Sequence, residues 1–193
     1  MRVLVACEFS GVVRRAFHER GHDVFSCDLL PAEDKSPLHF VIDVQKLLLP
    51  NQWDLMIAHP PCTYLCNSGV RWLYQGGRGK LKNKKRWACM WGARNFFNML
   101  RNAPIARICI ENPIPHRHAQ LPPYSQIIQP WEYGHGETKA TCLWLKGLPP
   151  LTPTNIVKDR SPRVHHASPG PDRWKERSRT LTGIAAAMAE QWD

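Results

Sequence analysis

The chain has 193 residues, 43% of them hydrophobic and 22% charged, and a formal net charge of +10. That length buries a core without disulfide or metal staples, and the composition excludes a disordered chain. The excess of positive charge points to a polyanionic partner, most simply nucleic acid, against the plainer reading of a basic protein with no such partner.

Residues 2–7 are a nearly continuous apolar run and predict a buried parallel strand. A turn at Glu8-Phe9-Ser10-Gly11 leads into a helix over 12–20, with Ser10 as N-cap, Val13, Ala16 and Phe17 on one face, and Gly21 as the stop. Strands follow at 23–27, 39–43 and 54–58, then a helix at 84–100 and a fifth strand at 106–110. After Pro130 the texture changes. Residues 131–134 and 141–145 predict an antiparallel pair, 149–171 a proline-rich loop and 178–192 a closing helix. The alternation predicts an α/β fold: a doubly wound, mostly parallel sheet with an antiparallel C-terminal hairpin, in a single domain over 1–193. The seven cysteines are odd in number and irregularly spaced. No leader pattern opens the chain and no apolar run approaches the ~20 residues of a membrane span. The expectation is free thiols, a cytoplasmic setting and no membrane partner.

Doubly wound sheets bind ligands beyond the carboxyl ends of their strands. The turn at Ser10-Gly11 lets backbone N–H groups approach a ligand, and Asp28 and Asp43 end the next two strands. This pattern suits a nucleoside, with Asp28 on ribose hydroxyls and Asp43 on an adenine amine; each acid taken singly reads equally well as a solvated cap. His59-Pro60-Pro61-Cys62 places a thiol on a stiff turn after an apolar strand. Glu111-Asn112-Pro113 places a carboxylate after another, with Pro113 expected to end the strand and turn the chain. A thiol and an acid at neighbouring strand ends can attack and protonate a pyrimidine ring. A buried, inert Cys62 and a merely ion-paired Glu111 are the blander readings. Between 71 and 86, Arg71, Arg78, Lys80, Lys82, Lys84, Lys85 and Arg86 alternate with glycines, Trp72, Tyr74 and Trp87. Basic and aromatic residues together suit a loop that grips a phosphate backbone and stacks on bases. His59, Cys62 and Cys66 lack the C-x-x-C pattern of a zinc knuckle, and no metal is expected.

With these motifs in hand, the chain resembles the DNA cytosine-5 methyltransferases, above all their compact, phage-type members. Glu8-Phe9-Ser10-Gly11 is similar to the family's Phe-x-Gly-x-Gly cofactor loop, with Val13 where a second glycine is usual. Pro61-Cys62 matches the Pro-Cys motif of the catalytic thiol, and Glu111-Asn112 the Glu-Asn motif whose acid contacts the target base; Pro113 replaces the usual valine. A Gln-x-Arg-x-Arg motif is not evident, and Lys139 stands as the substitute for one of its arginines. Residues 179–183 resemble the last cofactor-pocket motif and include Thr182.

The resemblance implies a Rossmann-like, S-adenosylmethionine-dependent methyltransferase fold acting on double-stranded DNA. It implies Cys62, Glu111, Asn112 and Lys139 as the catalytic set, and Phe9, Ser10, Gly11, Asp28, Asp43, Pro60 and Thr182 around S-adenosylmethionine. Only about 149–175 is left for target recognition, so a very short recognised sequence, an accessory protein or a homodimer is expected. Two other readings stay open: a methyltransferase of RNA cytosine or an exocyclic amine, and a non-catalytic nucleic-acid-binding protein.

Overall fold

The structure is a computed structural model that describes residues 1–76, 81–163, 170 and 173–193. Its elements are β1 (Arg2–Ala6), α1 (Val12–Glu19), β2 (Asp23–Asp28), β3 (His39–Val41), β4 (Leu55–Ala58), α2 (Lys84–Arg101), β5 (Arg107–Pro113), β6 (Gln126–Ile128), β7 (Thr141–Lys146), α3 (Arg173–Ser178) and α4 (Thr182–Gln191). Seven strands form one sheet in the order β3-β2-β1-β4-β5-β7-β6. β1 to β5 run parallel, and β7 is antiparallel to both β5 and β6. The chain winds outward from β1 in one direction through β2 and β3, then in the other through β4 and β5. The switch point therefore lies between β1 and β4.

The apolar runs follow from covering this sheet on both faces. Alternate residues divide between two cores. Val3, Val5, Leu55, Ile57 and Cys109 face α1 and α4, where Phe17, Met188 and Trp192 are buried. Leu4, Met56, Ala58, Ile108 and Ile110 face the other way, onto Phe97, Leu100 and Trp144. Among the described residues no helix is long and apolar enough to cross a membrane.

Three expectations change. The antiparallel partner of β7 is Gln126–Ile128, not residues 131–134. Pro130 has no N–H to give a ladder, and Pro130–Glu132 closes as a 3-10 turn instead. Secondly, β5 runs on through Pro113 because β7 continues beside it after β4 has ended, pairing Glu111 with Leu143 and Asn112 with Cys142. Thirdly, the closing helix begins at Thr182, and a separate short helix, α3, precedes it.

Phe97 is fully buried with its ring 5.0 Å from that of Trp144. Phe97→Ala should cost about 3–5 kcal/mol of stability. Exposed Arg101→Ala should cost less than about 0.5 kcal/mol. Denaturant unfolding of both variants checks the pair.

Candidate active site

At the tip of β1, Cys7 adopts a left-handed φ of 59° and turns the chain into the loop that leads to α1. Gly11, at φ 69°, precedes the first turn of α1. That left-handed conformation strains any residue with a Cβ, so it favours glycine, and a Cβ there would also displace the Asp34 carboxylate (2.8 Å) and the Arg14 guanidinium. The expected N-cap, Ser10, does not cap the helix by itself. Glu8, only 5% exposed, reaches over it. The Glu8 carboxylate accepts N–H bonds from Val13 (2.7 Å) and Arg14 (3.4 Å), and the Ser10 hydroxyl donates to it at 3.3 Å. A carboxylate thus holds the position where dinucleotide-binding sheets hold pyrophosphate. A ligand at this edge that lacks phosphate is compatible with it; a phosphate at the helix end would meet like charge.

Asp28 and Asp43 stand at the tips beyond β2 and β3. Each carboxylate caps a local turn, Asp28 accepting from the Leu30 N–H (3.0 Å) and Asp43 from the Gln45 N–H (3.0 Å). Phe9 is nearly buried, and its ring centroid lies 5.7 Å from that of Trp174 on α3. Thr182, at the start of α4, lies beside His135 (3.4 Å).

Across the switch point, His59 to Cys62 leave β4. Asn112, fully within β5 and 1% exposed, donates from Nδ2 to the Pro60 carbonyl at 3.1 Å. The Cys62 carbonyl then accepts from Leu65 (2.9 Å) and Cys66 (3.0 Å), closing a single helical turn. Arg86 secures this turn from outside. Its guanidinium donates to the Thr63 carbonyl at 2.9 Å and lies 4.4 Å from the centre of the Tyr64 ring. Gly69 lets the following 3-10 segment close on it, since a Cβ would come 2.5 Å from the Thr63 carbonyl oxygen.

Cys62 is half-buried and Cys66 is 6% exposed. Cys66 meets the Ser68 hydroxyl at 3.1 Å, and the thiol of Cys62 acts on it from the other end of the turn. The neighbouring Cys62 thiol holds that of Cys66 below its ordinary value, while Cys66 and burial push Cys62 up. Only Cys62 has the exposure to meet a large substrate.

The Glu111 carboxylate is 9% exposed. Its Oε2 lies 3.1 Å from His59 Nδ1 and accepts the Thr180 hydroxyl at 3.0 Å. Burial pushes its carboxyl up, but the His59 bond and charge, the Lys139 ammonium and Thr180 outweigh it and bring it down to about 2. His59 answers in the opposite sense. Burial favours the neutral ring, yet the charges of Glu111 and Glu8 raise it above its usual value. Lys139 donates to the Arg179 carbonyl at 3.2 Å, and its charge acts on Cys62, His59 and Glu111 alike.

The structure therefore gathers Cys62, Glu111, Asn112 and Lys139 around the tips of β4 and β5, with Phe9, Ser10, Gly11, Asp28 and Asp43 along β1 to β3. Pro60 joins the first group through its carbonyl. Of the basic loop, Arg71 stacks on Trp72 (4.6 Å), Lys82 lies 5.2 Å from the Trp87 ring, and Lys84 and Lys85 open α2 in solvent. Arg86 is instead committed to the Cys62 turn. Arg78 and Lys80 lie outside the described residues. Three site residues escaped the sequence reading: Glu8, Thr180 and His59 as the partner of Glu111. Only His59 carried a local signal, its place beside Pro60-Pro61-Cys62.

No protein-family model and no curated protein matches the chain. Among solved structures it is similar to one described as a DNA modification methyltransferase encoded within an E. coli prophage, at 16% identity and a TM-score of 0.48, over 81% of this chain and 52% of that one. It is also similar to a methyltransferase of Entamoeba histolytica, at 13% identity and a TM-score of 0.47, over 88% of this chain and 60% of that one. The chain thus spans roughly half to three-fifths of each. The order of its own sheet fits the Rossmann-like methyltransferase fold.

The ion pair dictates a pH dependence. Glu111 titrates below its ordinary 4.5, so its contribution is present above that value and is lost as pH falls towards about 2. His59 titrates above its ordinary 6.5, so its contribution is present below that value and is lost as pH rises through the raised one. The thermal midpoint of the wild type should exceed that of Glu111→Gln most between 4.5 and 6.5. The gap should narrow towards about pH 3 and about pH 9, which calorimetry across pH reads directly.

Proposed function

We propose that this protein transfers a methyl group from S-adenosylmethionine to carbon 5 of cytosine in double-stranded DNA, through a covalent Cys62 adduct. The observation that carries the reading is the Asn112–Pro60 hydrogen bond, which ties the turn bearing Cys62 to the strand bearing Glu111. Packing alone does not call for a half-buried thiol and a buried carboxylate on adjacent strand tips at a topological switch point.

Phe9, Ser10, Gly11, Asp28 and Asp43 are the residues we assign to the cofactor, with Pro60 and Thr182 at the margins of its site. The fit rests on Glu8: a carboxylate at the start of α1 suits a phosphate-free, cationic ligand. When bound, S-adenosylmethionine supplies an electrophilic methyl group.

The protein's own side chains supply the rest. A stacked cytosine is out of reach, so the base flips at a cost of a few kcal/mol. Cys62 gives up its thiol proton to water at its exposed face and adds as the thiolate to carbon 6. Glu111 accepts from the exocyclic amine and stabilises the proton on ring nitrogen 3. Carbon 5 then carries the electron density needed for alkylation, and loss of its proton with expulsion of the thiolate restores the ring. Lys139 neutralises part of the charge beside Cys62 and Glu111. Arg71, Lys82, Lys84 and Lys85 are assigned to the DNA backbone, together with Arg78 and Lys80. Residues 149–175 are the stretch assigned to recognition, with a second copy or another protein extending it.

Expression with plasmid DNA should yield 5-methylcytosine by nucleoside mass spectrometry. Cys62→Ala should abolish it while leaving S-adenosylmethionine binding by calorimetry within about twofold, as covalent catalysis requires. Full methylation by Cys62→Ala, or methylation only of an exocyclic amine, would overturn the reading. DNA affinity should fall by roughly three to five orders of magnitude between about 50 and 200 mM salt if about six to ten phosphates are contacted, and Lys84→Ala with Lys85→Ala should flatten that slope.

A further inference from the structure

We propose that His59 stores the proton that Glu111 delivers to the target base, so that the two side chains act as a relay; this rests on the reading of the site as one that adds a thiol to cytosine. Glu111 by itself is a carboxylate and has no proton to give at neutral pH. A proton at ring nitrogen 3 needs a source, and the group bonded to the carboxylate is His59.

The geometry is that of a donor held in place. The His59 backbone N–H is bonded to the Ala6 carbonyl at 2.9 Å, which fixes the residue at the tip of the sheet. Its Nδ1 meets Oε2 of Glu111 at 3.1 Å, and Thr180 bonds the same oxygen at 3.0 Å. Both bonds fall on Oε2. His59 Nε2 is buried and has no hydrogen-bond partner among the described residues. A purely structural histidine would normally satisfy both ring nitrogens, and a buried unpaired one in a native site calls for a functional reason. The charged groups acting on the ring are Glu111 from β5, Glu8 from the loop after β1, and Lys139 ahead of β7. Two carboxylates against one ammonium favour the imidazolium and set the proton beside the acid that uses it.

The step balances without any further reagent. As the Cys62 sulfur adds to carbon 6, the negative charge of the thiolate spreads into the ring. The Nδ1–H bond of His59 breaks and an O–H bond forms on Glu111. That O–H bond then breaks as an N–H bond forms at ring nitrogen 3. His59 is left neutral, Glu111 is again a carboxylate, and the charge on the ring is cancelled. When the thiol leaves, the proton returns along the same route. His59 acts through Glu111 and is therefore a positioning and proton-storing residue.

Two measurements test this. Nitrogen-15 NMR of the imidazoles in the intact wild-type protein should show His59 titrating above the ordinary 6.5, and below it in Glu111→Gln. A wild-type His59 titrating at or below 6.5 overturns the proposal. Thiol addition is then read without any methyl donor, as tritium release from a duplex library carrying carbon-5-tritiated cytosine. Wild-type exchange should decline at alkaline pH as His59 loses its proton. His59→Gln should exchange about 100-fold or more slowly and lose that decline, with DNA affinity within about twofold, the size expected for loss of a general acid. Exchange by His59→Gln within about twofold of wild type at about pH 6 overturns the relay alone. No exchange by the wild type overturns the cytosine-5 reading, and this role with it.

Discussion

A hydrogen bond from the Asn112 amide to the Pro60 carbonyl leads the contacts that set the relation between the two halves of the site. β4 and β5 are paired only as far as Ala58 and Ile110. Beyond that register the two segments meet again at the bridge of Cys66 with Pro115, where the Asn67 N–H donates to the Ile114 carbonyl (3.1 Å) and the His116 N–H to the Leu65 carbonyl (2.9 Å). Between the two, Asn112 adds a side-chain tie from a buried position, where a lost hydrogen bond leaves a polar group stranded. Together these contacts hold the turn of Cys62 beside the strand of Glu111.

Around that tie the electrostatics divide into two coupled pairs. In the Cys62–Cys66 pair the Cys66 thiol is held below its ordinary value, and the His59–Glu111 pair holds a proton firmly. Lys139 acts on both. An enzyme that must remove a proton from sulfur and supply one to a ring nitrogen needs these opposite tendencies side by side, and burial alone would not create them. The same edge carries Glu8, whose carboxylate closes the end of α1 and so biases it towards a ligand without phosphate.

The sheet was legible because its interior strands are buried on both faces and appear in the sequence as unbroken apolar runs. Cys62 was legible because Pro60-Pro61 follows an apolar run, and Glu111 because it follows the run 108–110, although β5 continues through Pro113. The antiparallel edge was not. Gln126–Ile128 is three residues long and begins with a polar side chain, while residues 131–134, rich in aromatics, imitated a strand that Pro130 does not allow. Thr180 reaches Glu111 across 69 residues, a distance no local pattern encodes. Arg86 looked like one more basic loop residue. Only the fold shows that its guanidinium is spent on the Cys62 turn, a contact of 23 residues' separation.

The most direct test of this account is covalent capture. A duplex library containing 5-fluorodeoxycytidine, incubated with the protein and S-adenosylmethionine, should yield a stable adduct because a fluorine at carbon 5 cannot leave as a proton does. Peptide mapping by mass spectrometry should place that adduct on Cys62. An adduct on Cys66, or methylated DNA with no adduct at all, would contradict it.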